Sequence, residues 1–422
     1  MFKIQKHTLA NGLRIVHTKD TSTQMVALNI LYQVGAKDED PDKTGFAHLF
    51  EHLMFGGSCN IPDYDEPLEN AGGNNNAWTS NDFTNYYLTL PAQNIEVGFW
   101  LESDRMLELA FSEESLKVQK QVVCEEFKEN NLNEPYGDIS LLFRPLAYKK
   151  HPYRWSAIGK ELSHIEDAIL EDVKSFFFKW YAPNNAILAV AGNIEFDEVV
   201  RLAEKWFGPI EHRKVPVRDL PKESLQTEPR FLEVERDVPS DCLVKGYHIC
   251  DYFDPDYYTF DLISDLLANG KSSRLKQELI MRNPSFSEVD AYISGNIDCG
   301  LFYLTGKPLP GVSLEESDKL ITAELNKLLN EPITEHELEK VKNIFESNTL
   351  FSRMSYLNNA SAIARAEMTG QAEDIFTEID KYRNITDADV KRVIRKHLHP
   401  NNCSTLYYRA NKNPIKEIET ED

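Results

Sequence analysis

Residues Thr44 to Gly57 contain His48-Leu49-Phe50-Glu51-His52, the pattern H-x-x-E-H. On a helix, His48 and His52 are one turn apart and share a face, and Glu51, three residues after His48, looks toward the same space. Two imidazoles at that separation can hold one Zn²⁺, and a carboxylate beside them can act as a base toward a water activated there. The plainer alternative is a buried helix with two satisfied histidines. Leu49, Phe50, Leu53, Met54 and Phe55 make the segment largely apolar. Polar groups converging on such a helix need partners, and a metal supplies one partner to all of them.

A catalytic zinc takes three protein ligands and keeps one position open. The segment Val118 to Phe127 offers the third ligand. At about 100° per residue, with Val118 set at zero, Val122 falls near 40°, Val123 near 140°, Leu116 near 160° and Phe127 near 180°. That arc is predicted to be the buried face. Glu126 falls near 80° and Gln119 near 100°, inside the arc, whereas Glu125 falls near −20°, at its edge. A carboxylate in the middle of an apolar face is costly unless paired or bound to a metal, so this geometry picks Glu126 over Glu125. The competing view is a solvated acidic run continuing into Lys128 and Glu129. Cys124, near 240°, is turned away from the inferred metal face.

H-x-x-E-H followed by a Glu 74 residues on (126 − 52) resembles the pitrilysin family of zinc peptidases, the inverzincins. The resemblance extends over most of the chain: Leu9-Ala10-Asn11-Gly12-Leu13, Gly72 to Ser80, Val122 to Glu126, Tyr181 to Ala186, and Gly270 to Leu275. It implies a zinc metalloendopeptidase in which His48, His52 and Glu126 bind one Zn²⁺ per chain and Glu51 is the general base. It also implies that Asn76 and Ala77 lie beside the scissile bond of a peptide or unfolded segment held in a chamber. Read from its residues alone, Gly72 to Ala77 is either a polar turn or a strand edge that pairs with a peptide backbone. The resemblance favours the edge.

The chain departs from that family in two places. Gln119 stands where many relatives carry a second Glu. Ile280 and Ser287 stand where relatives with a complete site carry an Arg and a Tyr that hold the substrate carbonyl; Arg282 and Tyr292 are near but at the wrong spacing. The resemblance therefore implies a homologous partner subunit in a heterodimer, with a homodimer as the alternative. Two other readings are a catalytically silent scaffold or peptide-binding subunit, and a lyase like the S-ribosylhomocysteine-cleaving enzyme. That lyase carries a similar motif on a far shorter, one-domain chain with a Cys ligand.

A chain of 422 residues, 41% hydrophobic, is expected to form two or more domains with ordinary cores. With 46 Lys+Arg against 68 Asp+Glu, its charge of −22 argues against nucleic acid and anionic membranes as partners. The stretch Met1 to His7 has no apolar signal-peptide core, and no apolar run reaches the roughly 18 residues that span a bilayer. Six scattered cysteines without a C-x-x-C read as reduced thiols of a cytoplasmic protein.

The elements that must position the site read as two similar halves. Asn11-Gly12 predicts a type I′ hairpin within Thr8 to Val16. Val26, Leu28, Ile30, Tyr32 and Val34 alternate as a half-buried strand. The motif helix follows, then strands near Tyr86 to Leu90 and Ile187 to Ala191 and a helix through Trp206. The second half restarts with strands at Phe231 to Val234 and Leu243 to Ile249, a helix at Phe260 to Ala268, and a strand at Leu301 to Thr305. Asp261 and Asp265 fall about where His48 and His52 were. The expected fold is α+β, two homologous domains, each a mainly antiparallel sheet covered by helices. Residues 1–212 would form the zinc-bearing domain, 213–229 a linker, and 230–422 a second domain without a metal site.

Overall fold

A computed structural model describes residues 3–411 of the chain. In chain order the strands are β1 (Ile4–Thr8), β2 (Arg14–Lys19), β3 (Met25–Tyr32), β4 (Asn74–Thr79), β5 (Thr84–Pro91), β6 (Ala186–Gly192), β7 (Arg230–Arg236), β8 (Cys242–His248), β9 (Phe286–Ile293), β10 (Leu301–Pro308) and β11 (Cys403–Ala410). Five helices concern the site or its counterpart: α1 (Phe46–Leu53), α2 (Glu113–Lys128), α3 (Ile139–Ala147), α4 (Asp256–Ala268) and α5 (Tyr356–Thr369).

The strands form two sheets, ordered β1-β2-β6-β3-β5-β4 and β7-β11-β8-β10-β9. Each contains one parallel pairing, β2 with β6 and β7 with β11, and is otherwise antiparallel. Outward from the parallel pair the two orders correspond strand for strand. The helix α1 connects β3 toward β4, and α4 connects β8 toward β9. This is the α+β architecture read from the sequence, and its internal repeat is visible in the topology.

The two compact units are not contiguous in sequence. One takes residues up to Glu129 with His151–Pro221 and Glu346–Ile379; the other takes Asn130–Lys150, Lys222–Phe345 and the chain from Asp380 on. The division into 1–212, 213–229 and 230–422 leaves out these exchanges of α3 and α5. The physical cause is that a central sheet has two apolar faces to cover, and the helices local to each half cover only one. On the first sheet, α5 lays Ala360, Ile363 and Ala364 against Val16, Ala27, Leu31, Ile187 and Ala189. On the second, α3 packs on β7, β8 and β11.

Covering by α5 also overturns the half-buried reading of β3, which is buried on both faces. Leu28 and Ile30 enter the main core, while Ala27 and Leu31 face α5. Asn29, which has the parity of a solvent position, is fully buried and exchanges hydrogen bonds with Asn85 at 2.8 and 2.9 Å.

The first hairpin forms, but not through a type I′ turn. That turn needs positive φ at both central residues, and only Gly12 has it (+90°). Asn11 is instead a buried anchor whose Nδ2 donates to Phe207 O and Ile210 O, both at 2.8 Å.

Candidate metal centre

Helix α1 starts at Gly45, whose φ of +90° and close neighbours suit only glycine: a Cβ there would meet Ile158 O and Ile165 Cδ1 at 2.9 Å. Buried Phe46, Ala47, Leu49, Phe50 and Leu53 then fix the rotation of the helix. His48, Glu51 and His52 are left half-buried on its open face.

Helix α2 is capped by Ser112, whose Oγ accepts from Ser115 N at 3.0 Å. Its buried residues are Leu116, Val123, Cys124 and Phe127, whereas Val118 and Val122 are 48% and 45% exposed. With Val118 again at zero, the buried arc therefore runs from about 140° to about 240°. The predicted arc is displaced from it by about a quarter turn, because Val118 and Val122 face solvent and Cys124 belongs to the core. Glu126 sits at the margin of the true arc, where a ligand must sit to reach outward. Glu125 is turned further out and pairs with Lys128 at 2.7 Å. Glu126 is thus the better placed of the two because it borders the core, not because it lies within it.

His48 Nε2 and His52 Nε2 lie 3.6 and 3.4 Å from Glu126 Oε2. One ligand atom from each residue lies within 4.8 Å of the others, and no other group of three potential ligands does so among the described residues. Two zinc bonds of about 2.0–2.1 Å at a tetrahedral angle place their ligand atoms about 3.3–3.4 Å apart. The donor set and its spacing thus fit a tetrahedral ion with one position left over.

Burial pushes His48 down to about 4, keeping its imidazole in the neutral, metal-binding form at pH 7. Hydrogen bonding by His52 holds Glu126 below the usual carboxylate range. Burial raises Glu51 above that range, and the hydrogen bond from Thr79 opposes the rise.

Sequence reasoning missed Thr79 as an individual residue. It ends β4, and its Oγ1 donates to Glu51 Oε2 at 2.7 Å. The alternation of β4 carries the signal: Asn75, Ala77 and Thr79 are half-buried, and Asn74, Asn76 and Trp78 are exposed. The strand is the last in its sheet, so its outer edge is unpaired by any described strand. Asn76 is exposed there, and its Oδ1 accepts from Ala77 N at 2.7 Å. Gln119 lies half-buried two turns before Glu126.

The second unit holds no equivalent cluster among its described residues. Ile280 packs against its core, and Ser287, exposed on β9, donates to Lys307 O at 3.1 Å. Arg282 lies 3.7 Å from Glu278, and Tyr292 stacks on Tyr303 at 4.9 Å. On α4 the run Asp261-Leu262-Ile263-Ser264-Asp265 repeats the motif spacing. Asp261 accepts from Tyr382 Oη, and Asp265 Oδ1 accepts from Asn269 Nδ2 at 2.9 Å.

Two helix-covered sheets, one carrying a His-His-Glu cluster beside an edge strand, define a scaffold with a candidate metal centre. Residues 14–146 match the family description "Insulinase (Peptidase family M16)" and residues 167–345 match "Peptidase M16 inactive domain". The chain belongs to peptidase family M16. It is 28% identical over 414 residues to the zinc protease PqqE of Helicobacter pylori, covering 96% of this chain and 93% of that one. The crystal structure of a protease from Helicobacter pylori matches with a TM-score of 0.92 at 28% identity, over 97% of this chain and 100% of that one. Pitrilysin shares the fold with a TM-score of 0.78 at 17% identity, over 97% of this chain but 45% of pitrilysin. No helix among the described residues is long and apolar enough to cross a membrane.

Proposed function

We propose that the chain is the metal-bearing subunit of a zinc-dependent endopeptidase. The observation that carries this is the convergence of His48, His52 and Glu126 next to a Glu51 carboxylate held by Thr79. The relatives named zinc proteases support it. His48, His52 and Glu126 would hold one Zn²⁺. When bound, such an ion lowers the pKa of water to about 7 and polarises a carbonyl oxygen.

Glu51 then has two tasks. It takes a proton from the attacking water and returns it to the leaving amine. Thr79 engages Oε2 and fixes the plane of the carboxylate, so that Oε1 is the atom that moves the proton. Burial, by raising the proton affinity of Glu51, makes it a stronger base than an exposed Glu. A peptide substrate adds along the edge of β4, where backbone hydrogen bonds give affinity without strong sequence demands. Asn76 and Ala77 border the scissile bond, and the substrate backbone replaces Asn76 Oδ1 on Ala77 N–H.

The chain is expected to work with a homologous partner that supplies the missing donors. Ile280 offers nothing to a carbonyl oxygen, and Ser287 is engaged on its own sheet. Losing one aimed donor costs about 3–4 kcal/mol of transition-state stabilisation. A homodimer that uses Arg282 is the competing assembly. Turnover of an unstructured peptide should be low for the chain alone, rise with the partner, stop with a chelator and return with zinc. Full turnover alone, unchanged by the partner, would remove the pairing.

A peptide-binding subunit without turnover is the second reading, favoured by Gln119 and by the "inactive domain" description. That description falls on residues 167–345, the half that carries Asp261 and Asp265 and not the half that carries the histidines. This reading predicts no turnover with any partner.

A further inference from the structure

Gly45 is required by its φ and by the closeness of Ile158, so α1 has no side chain at its own N-cap, and its first turn has no acidic residue. The N–H groups at that end are met from outside the helix. Glu39 Oε2 accepts from Gly45 N at 3.0 Å, and Glu39 Oε1 accepts from Ala47 N at 2.8 Å. Trp155 Nε1 donates to Glu39 Oε2 at 3.1 Å while also donating to Ala36 O at 2.9 Å.

Glu39 is only 7% exposed, and among the described residues no cation pairs with it. Its charged neighbours are engaged elsewhere, Lys37 with Asp82 at 2.8 Å and Asp38 with Arg218 at 2.6 Å. A buried carboxylate in that position is costly. Burial pushes its proton affinity up, and the three donors oppose this. Every partner is an N–H, two of them at the positive end of a helix, and such a set fits an acceptor and excludes a further donor. Ala47 immediately precedes His48, so whatever fixes Ala47 N–H fixes the direction in which the first imidazole leaves the helix.

We propose that Glu39 is a positioning residue of the metal centre: through Gly45 and Ala47 it sets the start of α1, and with it the placing of His48, Glu51 and His52 against Glu126. This rests on the zinc reading of the cluster. Supporting groups of this kind typically contribute about 10–100-fold to metal affinity.

The test is competition between the metal-free protein and a chromophoric chelator for Zn²⁺ alone, with the unfolding midpoint of each metal-free protein measured in parallel. Glu39→Gln places an amide NH₂ among three donors and should weaken zinc about 10–100-fold. Glu39→Asp, which keeps the acceptors, should recover part of that loss. A lowered unfolding midpoint with zinc affinity within about twofold of the parent would show that Glu39 serves the fold alone and would overturn the proposal. A parent protein that binds no zinc would overturn the zinc reading and this proposal with it. If Glu39→Gln does not fold, Trp155→Phe removes one donor and leaves the carboxylate: a few-fold weakening supports the proposal, and unchanged affinity overturns it.

Discussion

Helices α1 and α4 occupy corresponding places in the two sheets and present the same spacing of polar residues, 48, 51 and 52 against 261, 264 and 265. Both turn an apolar pair inward, Leu49 and Phe50 in one and Leu262 and Ile263 in the other. They differ in what meets the polar face. In α1 two imidazoles converge on a carboxylate delivered by α2. In α4 the two carboxylates are tied to Tyr382 and to Asn269. Burial raises Asp261 and pushes Asp265 up to about 6, so these groups hold a proton more tightly than ordinary carboxyls, whereas burial makes His48 hold one less tightly than an ordinary imidazole. A helix placed beside an edge strand is therefore only a platform; the facing element decides whether its polar face joins a His-His-Glu cluster or is tied up in hydrogen bonds.

The largest effect that would break this contrast comes from the histidines. His48→Ala or His52→Ala should take the zinc content from about one per chain to near zero, because two remaining ligands do not hold the ion. Zinc content unchanged in both would sink the assignment. Next, Glu51→Gln should keep the zinc and lose peptide turnover by about 10²-fold or more. Full activity in that variant would take Glu51 out of the mechanism. A smaller effect separates neighbours on α2: Glu126→Gln should weaken zinc far more than Glu125→Gln, whose side chain serves Lys128. The reverse order would mean that the ligand had been misassigned.

The smallest expected effect sharpens the other side. With a folded value of about 6 against an ordinary 3.8, Asp265 favours the folded state below pH 3.8, and that contribution is lost as pH rises through 6. Asp265→Asn keeps an acceptor for Asn269 and removes the charge. Allowing for partial solvent screening, it should gain about 1 kcal/mol at about pH 7.5, shrinking toward zero near pH 4. Chemical denaturation at the two pH values reads this directly, and a gain that grows at low pH would contradict it.

The motif helix and the repeat were legible because each is a local pattern: a spacing or a recurring order of elements. What was not legible depends on chain segments far apart in sequence. Nothing in Val26 to Val34 reveals that α5, more than three hundred residues later, covers the second face of β3. The arc on α2 was misplaced for the same reason: valine at Val118 and Val122 says apolar, and only the packed neighbours say exposed. Asn11 looked like a turn residue because its two distant carbonyl partners, Phe207 O and Ile210 O, are invisible to any window around it. Thr79 and Glu39 act on α1 across 28 and 8 residues, as a side-chain and a backbone contact respectively, and neither has a spacing that marks it.

Diffraction from crystals soaked in zinc, recorded on both sides of the zinc absorption edge, tests the central claim most directly. The account predicts one anomalous peak in this chain, about 2.0–2.2 Å from His48 Nε2, His52 Nε2 and a Glu126 carboxylate oxygen. No peak at that position, or a peak between Asp261 and Asp265 in its place, would contradict it.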